Sequence, residues 1–302
     1  MSLQIAIVGH IINETIVFPD RTIAPVLGSP SAYSAVIAAV LGTKVGLVTK
    51  IGKDFPPTLL VPLGEAQVSL EGLSSDHEHS TANIMTYDEN GHKSMAYRTQ
   101  APPIYFTDVP EAYHDAPLFF VCPMYYEVPL ETVEKLAALP GQVVVDLGGY
   151  GGATSATHPN PDERVNNSTI RALARVATVL KASLEDCRHI LPADLTPEQL
   201  ARTFVAWGAR VGIVTLGKEG ALAVEGENVY RVPSFPTVEV DATGAGDAFS
   251  AGFLVEFLRT GDVEKSTRFA CATASLVIEE SGGVRVARMP TRERVERRIQ
   301  CL

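Results

Sequence analysis

The sequence has few cysteines and no long apolar run. Its four cysteines, Cys122, Cys187, Cys271 and Cys301, are spread along 302 residues, so no pair indicates a disulfide framework, a zinc site or a redox motif. No apolar stretch reaches the ~20 residues that a membrane-spanning helix needs. The first residues also lack the basic region and cleavage site of a signal peptide. We therefore expect a cytoplasmic protein with reduced thiols and no membrane partner.

Basic residues are also in the minority. The chain has 25 lysines and arginines against 35 aspartates and glutamates, a formal net charge of −10 at pH 7. General nucleic-acid binders and membrane-surface binders need a basic footprint, so neither partner is expected. Binding of a small phosphate-bearing molecule stays compatible with this charge, because it needs positive potential only locally.

Strand and helix patterns alternate along most of the chain. Short apolar runs predict strands at Ile5–Val8, Lys44–Thr49, Leu118–Val121, Val143–Asp146, Thr178–Leu180 and Val211–Leu216. Apolar residues at helical spacing predict helices at Ser31–Leu41, Leu130–Leu139, Ser168–Arg175 and Pro197–Gly208. Such alternation is typical of an α/β protein with a mostly parallel sheet and helices on both of its faces.

Residues 81–98 interrupt this alternation. Their residues alternate on both sides of Asn90-Gly91, which is the strongest short signal for a hairpin. The hairpin could form an edge of the main sheet, or it could belong to a small separate sheet that projects from the body and covers a site. The pattern is compatible with both placements.

The segment from Val240 to Phe253 carries the clearest chemical signal. Gly244, Ala245 and Gly246 are small, and the residues after Asp247 are apolar at helical spacing. A ligand can therefore approach the start of a helix, where unpaired N–H groups and the positive end of the dipole favour an anion. The Asp247 carboxylate lies beside the same point and could accept a proton from a hydroxyl that attacks a phosphate. A simple glycine turn, with an aspartate favoured by the dipole, is the alternative.

This segment, Asp241-Ala242-Thr243-Gly244-Ala245-Gly246-Asp247-Ala248-Phe249, closely resembles the C-terminal signature of the ribokinase-like (PfkB) carbohydrate kinase family. Further segments fall into register with that family: Gly28–Ala35, Thr49–Asp54, Thr215–Gly220 and Phe269–Ala274. The resemblance implies a ribokinase-like three-layer α/β sandwich with a mostly parallel central sheet. It also implies one kinase domain over residues 1–302, with a small β lid formed approximately by residues 10–28 and 79–106.

The resemblance further implies a division of the site. ATP would place its phosphates at Gly244–Gly246, with Asp247 as the general base. Other nucleotide contacts would come from Ser183, Asp186, Thr215, Gly217, Gly220, Asp241, Thr243, Cys271, Ala272 and Ser275. The hydroxyl acceptor would lie under the lid, against Glu14, Gly28, Ser29, Tyr33, Asp146 and Asp247. Asp186 would hold Mg²⁺ through water, Asp241 would shape the loop and help to hold a monovalent cation, and two copies would pair through the lid.

Several positions depart from the family pattern. Glu14 replaces an aspartate, Ser29 replaces the second glycine of a Gly-Gly pair, and Tyr33 replaces an asparagine. The metal-organising Asn-x-x-Glu motif is represented by Ser183-Leu184-Glu185-Asp186. These changes affect the acceptor side and the metal site, whereas the anion loop and its aspartate match the family.

The predicted function is an ATP-dependent kinase that phosphorylates a hydroxyl of a sugar or polyol. A myo-inositol-like acceptor is suggested because Asp146–Tyr150 resembles a stretch found in the branch that includes myo-inositol kinases, although the arginine that often follows it is missing. A nucleoside kinase is the alternative, since Tyr33 could stack on a base. A non-catalytic ligand sensor on a kinase fold is a third hypothesis, and a dehydrogenase lacks a dinucleotide fingerprint.

Overall fold

The chain forms two separate sheets, one long and one short. The computed structural model describes residues 2–89, 93–153, 155 and 163–301. The strands are β1 (Ile5–Val8), β2 (Ile12–Val17), β3 (Thr22–Gly28), β4 (Val45–Gly52), β5 (Ser69–His77), β6 (Ala82–Tyr87), β7 (Lys93–Thr99), β8 (Leu118–Val121), β9 (Gln142–Asp146), β10 (Val179–Ser183), β11 (Val211–Thr215), β12 (Ala221–Glu225) and β13 (Asn228–Val232). The α-helices are α1 (Pro30–Val40), α2 (Val61–Glu65), α3 (Leu130–Ala137), α4 (Glu163–Val176), α5 (Leu184–Ile190), α6 (Pro197–Ala206), α7 (Ala245–Thr260), α8 (Val263–Val277) and α9 (Arg292–Gln300).

The central sheet has nine strands in the order β13-β12-β11-β10-β9-β8-β1-β4-β5. Neighbouring strands from β11 to β5 are parallel, whereas β12 pairs antiparallel with both β11 and β13. The middle strands β1 and β8 are buried at every residue. Continuous apolar runs of this kind suit parallel strands that are covered on both faces.

Helices cover both faces of the central sheet and enclose a core on each side. One core contains Phe249 and Phe253 of α7 and Ala35 of α1. The other contains Leu173 of α4 and Phe204 of α6. The predicted α/β sandwich with a mostly parallel sheet is therefore confirmed. In the part of the chain that the structure describes, no helix combines the length and the apolar character needed to cross a bilayer.

The short sheet has four strands in the order β3-β2-β6-β7 and forms the lid. Strand β2 pairs parallel with β6, while β3 and β7 pair antiparallel with their neighbours. Of the two placements that the pattern left open for the hairpin, the separate sheet is the observed one. The Asn90-Gly91 turn itself lies outside the described residues, but the strands that flank it pair from Tyr87 with Lys93 to Ala82 with Thr99.

Most predicted elements agree with the observed ones to within a few residues, and the largest differences have physical causes. The predicted strand at Thr178–Leu180 continues to Ser183 because Lys181 lies inside the sheet, in an ion pair. The predicted helix at Ser168–Arg175 begins earlier, at Glu163. Strands β5, β12 and β13 of the central sheet were not predicted, and β5 and β13 are edge strands whose burial is mixed.

Candidate active site

The anion loop, residues 241–246, leads directly into α7. Gly244 is the N-cap of this helix and has φ 82°, a left-handed conformation that glycine adopts without strain. The Asp241 carboxylate accepts a hydrogen bond from the Thr243 N–H at 2.9 Å, which fixes the turn before the helix. Gly244, Ala245, Gly246 and Asp247 all line one cavity, so the positive end of α7 faces it.

Two buried side chains support this loop from behind. Tyr33 of α1 is 3% exposed, and a Cβ atom on Gly244 would lie 2.5 Å from its ring. The buried Arg288 donates hydrogen bonds to the Tyr33 hydroxyl at 3.1 Å and to the Thr243 carbonyl at 3.3 Å. Burial raises the pKa of the Tyr33 phenol, so it stays protonated. The sequence prediction missed Arg288, which has no motif around it.

Asp146 and Lys181 form a buried ion pair beside the loop. They are register partners on the parallel strands β9 and β10, and Lys181 Nζ lies 2.7 Å from Asp146 Oδ2. Burial by itself lowers the pKa of Lys181, but the carboxylates of Asp146, Asp186 and Asp247 outweigh it and raise the pKa, so the lysine is charged. A Cβ atom on Gly246 would lie 3.7 Å from this ammonium. Sequence prediction missed Lys181, although a single lysine within an apolar strand indicates a buried charge that needs a partner.

Ser183 and Asp186 lie at the start of α5, directly after the strand that carries Lys181. Asp186 Oδ2 accepts hydrogen bonds from the Ser183 N–H at 2.9 Å and hydroxyl at 2.6 Å, and its Oδ1 accepts one from the Ala153 N–H at 2.9 Å. Both side chains and the exposed Glu185 line the cavity. Among the described residues no group of three or more His, Cys, Asp or Glu side chains could hold a metal by itself. These oxygen donors still suit Mg²⁺, which keeps several waters and shares substrate phosphates.

The cavity under the lid has a volume of about 820 Å³. Acidic side chains predominate among the charged residues that the structure describes in its lining: Glu14, Asp146, Glu185, Asp186, Glu239, Asp241 and Asp247 line it, against the cations Arg21 and Lys181. Ser29 also lines it and has φ 104°, a conformation that favours glycine. Its hydroxyl accepts a hydrogen bond from the Ala32 N–H at 3.1 Å and so caps α1. Gly28 is not among the lining residues, and packs instead against the carboxylate of Glu14.

The lid contributes apolar and aromatic residues to the lining of this cavity, beside the charged Glu14 and Arg21. These residues are Ile12, Phe18, Met85, Tyr87 and Met95. The rings of Phe18 and Tyr87 stack with centroids 5.1 Å apart, and the Tyr87 hydroxyl lies 3.2 Å from the Thr243 hydroxyl. The lid therefore touches the anion loop. These lid residues were not predicted individually, because strand pairing brings them together and no sequence motif marks them.

A second cavity, of about 550 Å³, lies on the other side of the loop. The predicted nucleotide residues that line it are Thr215, Gly217, Gly220, Cys271 and Ser275, together with the apolar Phe235, Phe249 and Ile278. Ala272 does not line it and is fully buried in α8. Thr215, Glu239, Ala242, Ala245 and Gly246 line both cavities, so the two meet at the anion loop.

Two cavities that meet at a helix N-terminus, with a carboxylate in the first turn, suit a phosphotransferase that acts on an alcohol group. Comparison with known proteins agrees with this class. A family model described as "pfkB family carbohydrate kinase" matches residues 31–291. The chain belongs to the pfkB family of carbohydrate kinases, and the predicted family is confirmed.

Characterised relatives cover nearly the whole chain. The cytidine kinase of Thermococcus kodakarensis is 29% identical over 288 residues, 93% of this chain and 98% of that protein. The ribokinase of Bacillus subtilis is 28% identical over 280 residues, 89% of this chain and 86% of that protein.

Solved structures share the fold at lower identity. Arabidopsis thaliana ribokinase complexed with ribose and ATP superposes with a TM-score of 0.79 at 20% identity, covering 99% of both chains. A pyrophosphate-dependent kinase of the ribokinase family, complexed with a pyrophosphate analog and myo-inositol, has a TM-score of 0.77 at 20% identity. It covers 94% of this chain and 98% of its own. Kinases of this fold therefore include both ATP-bound and pyrophosphate-dependent members.

Proposed function

We propose that this chain is an ATP-dependent kinase that phosphorylates a sugar hydroxyl of a ribonucleoside. The observation that carries this proposal is the meeting of two cavities of different character at the anion loop. One cavity is suited to the donor and the other to the acceptor, and Asp247 lines the acceptor cavity directly after Gly246, which lines both. A phosphoryl group that moves between them passes the N-terminus of α7.

The character of the second cavity supports a nucleotide as the donor. Phe235, Phe249 and Ile278 provide an apolar lining that an adenine ring would cover, whereas pyrophosphate has no group to place there. The glycines at 217 and 220 allow close approach of a ligand to the backbone. Mg²⁺, brought with the nucleotide, would neutralise phosphate charge, and Glu185 and Asp186 offer oxygen donors for its hydration shell.

The lid cavity supports an acceptor with a polar end and an apolar end. Glu14, Ser29 and Asp247 offer hydrogen-bonding groups suited to a ribose. The stacked rings of Phe18 and Tyr87 and the side chains of Met85 and Met95 offer an apolar surface suited to a base. The relative named as a cytidine kinase supports the same acceptor class.

A free sugar is the second candidate, supported by the relative named as a ribokinase. A polyol of the myo-inositol type would leave the apolar lid surface without a partner, so the lining favours it less. An intact anion loop with its aspartate also favours a catalyst over a ligand sensor, since a sensor does not need a proton acceptor.

Individual residues of the chain then have separate roles in phosphoryl transfer. Asp247 accepts the proton of the acceptor hydroxyl, and the N–H groups at the start of α7 stabilise the negative charge that develops on the transferred group. Asp241 holds the loop in shape through Thr243, and we retain the hypothesis that it helps to hold a monovalent cation. Pairing of two copies through the lid also remains a prediction.

The test is a substrate panel with direct detection of the phosphorylated product. Purified protein is incubated with Mg²⁺ and either ATP or pyrophosphate, and with cytidine, other nucleosides, ribose, fructose or myo-inositol. We expect ATP-dependent phosphorylation of at least one ribonucleoside, and we expect this acceptor to have the highest kcat/KM in the panel. Activity with pyrophosphate but not with ATP as the donor would overturn the proposal. Activity with polyols but with no ribonucleoside as the acceptor would also overturn it.

A lid variant sharpens this test. Phe18→Ala removes half of the aromatic pair in the cavity and should raise the KM for nucleosides, while ribose turnover changes little because ribose has no base. Ile23 lies on the same lid, is 40% exposed and does not line the cavity, so Ile23→Ala is the matched control. Equal effects of Phe18→Ala on nucleosides and ribose would show that the lid does not contact a base.

A further inference from the structure

The lid cavity has an excess of negative charge, although the proposed enzyme binds a negatively charged polyphosphate. Among the described residues, carboxylates greatly outnumber cations in its lining, and one of the two cations there, Arg21, is on the exposed lid tip beside Asp20. Arg288 is close to the anion loop, but its guanidinium donates to backbone carbonyls and to Tyr33. In the part of the chain that the structure describes, Lys181 is therefore the cation that both lines the cavity and lies beside the loop.

The position of Lys181 is well defined. The residue is 6% exposed, and the ammonium is held by Asp146 at 2.7 Å. An ammonium has three N–H donors, and among the described residues Asp146 is the one hydrogen-bond acceptor for it. The remaining donors stand next to Gly246, whose Cβ, if it had one, would lie 3.7 Å from Nζ. A buried, charged donor with unused N–H groups at an anion loop is expected to serve a ligand.

We propose that Lys181 is a catalytic residue that binds an oxygen of the phosphoryl group in transfer, and that Asp146 is a positioning residue that holds it there. This inference rests on the proposed function, because it requires a phosphoryl donor at the loop. The family resemblance implies that Asp146 contacts the substrate that accepts the phosphoryl group, whereas this inference assigns it to the positioning of Lys181.

The physical basis is charge that develops during transfer. The bond between the γ-phosphorus and its bridging oxygen breaks, a new bond to the acceptor oxygen forms, and the hydroxyl proton goes to Asp247. Charge spreads over the oxygens of the transferred group. A fixed ammonium in a buried site stabilises that charge without reorganising, so it acts more strongly on the transition state than on bound ATP. Lys181 keeps its proton throughout.

The structure also shows how Asp146 is fixed. Its Oδ1 accepts a hydrogen bond from the Gly148 N–H at 3.1 Å, and its Oδ2 lies 3.4 Å from the Ser250 hydroxyl of α7. The single proton of the Ser250 hydroxyl can go either to this carboxylate or to the Gly246 carbonyl, which lies 3.0 Å away. The carboxylate that holds Lys181 therefore lies beside the first turns of the helix that carries the anion loop.

The experiment removes the positive charge of Lys181 but keeps a side-chain N–H group that can donate a hydrogen bond to Asp146. Lys181→Gln is compared with wild type and with Lys50→Gln. Lys50 is an equally buried lysine, 7% exposed, paired with Asp108 at 2.8 Å and not in the cavity lining. Turnover is measured with the best acceptor of the panel. Calorimetry separately measures the affinity for ADP alone and for ADP with aluminium fluoride and acceptor, which imitates the transition state.

For Lys181→Gln we expect a fall in kcat of roughly 10²–10³, the usual loss of one transition-state donor. Affinity for the fluoride complex should fall by about the same factor, while affinity for ADP alone changes less than about threefold. Lys181→Arg, which keeps a charge, should recover part of both losses. Lys50→Gln should leave both affinities and kcat as in wild type.

Other outcomes would overturn the inference. Equal losses of affinity for ADP and for the fluoride complex would mean that Lys181 contributes only to ground-state binding or to structure. Wild-type turnover by Lys181→Gln would mean that Lys181 has no catalytic role. If Lys181→Gln does not fold, Lys181→Met combined with Asp146→Asn removes both buried charges together, and the same comparison applies. A wild-type protein that phosphorylates nothing in the panel would instead count against the proposed function.

Discussion

The ring of Tyr33 packs against the α-carbon of Gly244, so that helix α1 supports the start of helix α7. A Cβ atom on Gly244 would lie 2.5 Å from the ring, closer than side chains approach one another. Tyr33 also lines the lid cavity. A residue that the family pattern assigns to the acceptor therefore also fixes the loop at which the donor and acceptor cavities meet, and it connects the two halves of the site.

This contact predicts a specific effect of Gly244→Ala. The methyl group would push the Tyr33 ring or the loop away, and alanine would also be strained at φ 82°. We expect a loss of stability larger than about 1 kcal/mol and a fall in ATP affinity of at least about tenfold, equivalent to ~1.4 kcal/mol. Thermal unfolding and calorimetry measure the two effects.

The other end of α7 offers the control for this variant. Gly261 also has a left-handed φ, 66°, but no atom lies within 4 Å of a Cβ atom placed there. Gly261→Ala should therefore lose about 1–2 kcal/mol of stability from backbone strain alone and keep its ATP affinity. If both variants kept wild-type ATP affinity, the Tyr33 contact would not control the loop.

A second prediction concerns the donor cavity. Gly217 lines it with φ 58° and has open space where a side chain would point. Gly217→Val carries backbone strain but should fold, since no atom lies within 4 Å of its Cβ, and its side chain would occupy the space of the nucleotide. We expect ATP affinity to fall at least about tenfold, with little change in acceptor binding. Calorimetry with ATP and with the acceptor separates these outcomes.

A matched variant exists in the turn between β12 and β13. Gly226 has φ 57° and the same open surroundings, but it does not line the donor cavity. Gly226→Val carries the same backbone strain and should bind ATP like wild type. Unchanged ATP affinity in a folded Gly217→Val protein would show that the nucleotide loop lies elsewhere.

The sequence predicts the layers of this fold well because buried parallel strands are continuous apolar runs. Ile5–Val8 and Leu118–Val121 are predicted with the observed boundaries for that reason. It also predicts the anion loop, because a glycine-rich turn before an apolar helix is a local feature. The contacts of Tyr33 with Gly244 and of Lys181 with Asp146 join distant segments. No local pattern encodes them: the first follows from the packing of α1 on α7, and the second from the pairing of β9 with β10.

A third prediction concerns stability in acid. Glu256 of α7 is buried and accepts hydrogen bonds from Arg259 and Arg292, the latter at 3.0 Å. Burial alone would raise the pKa of Glu256, but the two arginines outweigh it and hold the pKa below 4.5. Since the folded state has the lower pKa, its contribution to stability is complete above about pH 4.5 and is lost as the pH falls through the folded pKa.

Glu256→Gln should therefore reduce the free energy of unfolding by about 1–2 kcal/mol at neutral pH, and the difference from wild type should shrink in acid. Urea unfolding at about pH 7 and about pH 4 measures this. Glu264→Gln, at an exposed position at the start of α8, is the control and should change little at either pH. A deficit for Glu256→Gln that does not depend on pH would exclude the ion-pair explanation.

The last prediction concerns Asp247, which lies in the first turn of α7 and lines the cavity beside Gly246. Asp247→Asn keeps the shape of the side chain and removes the proton acceptor, so turnover should fall by roughly 10²–10⁴. ATP affinity should be kept or should rise, because a negative charge near the phosphates is lost. Asp262→Asn, at the cap of α8, is the control and should keep full turnover, since asparagine caps a helix equally well. A folded Asp247→Asn enzyme with wild-type kcat would show that another group takes the proton.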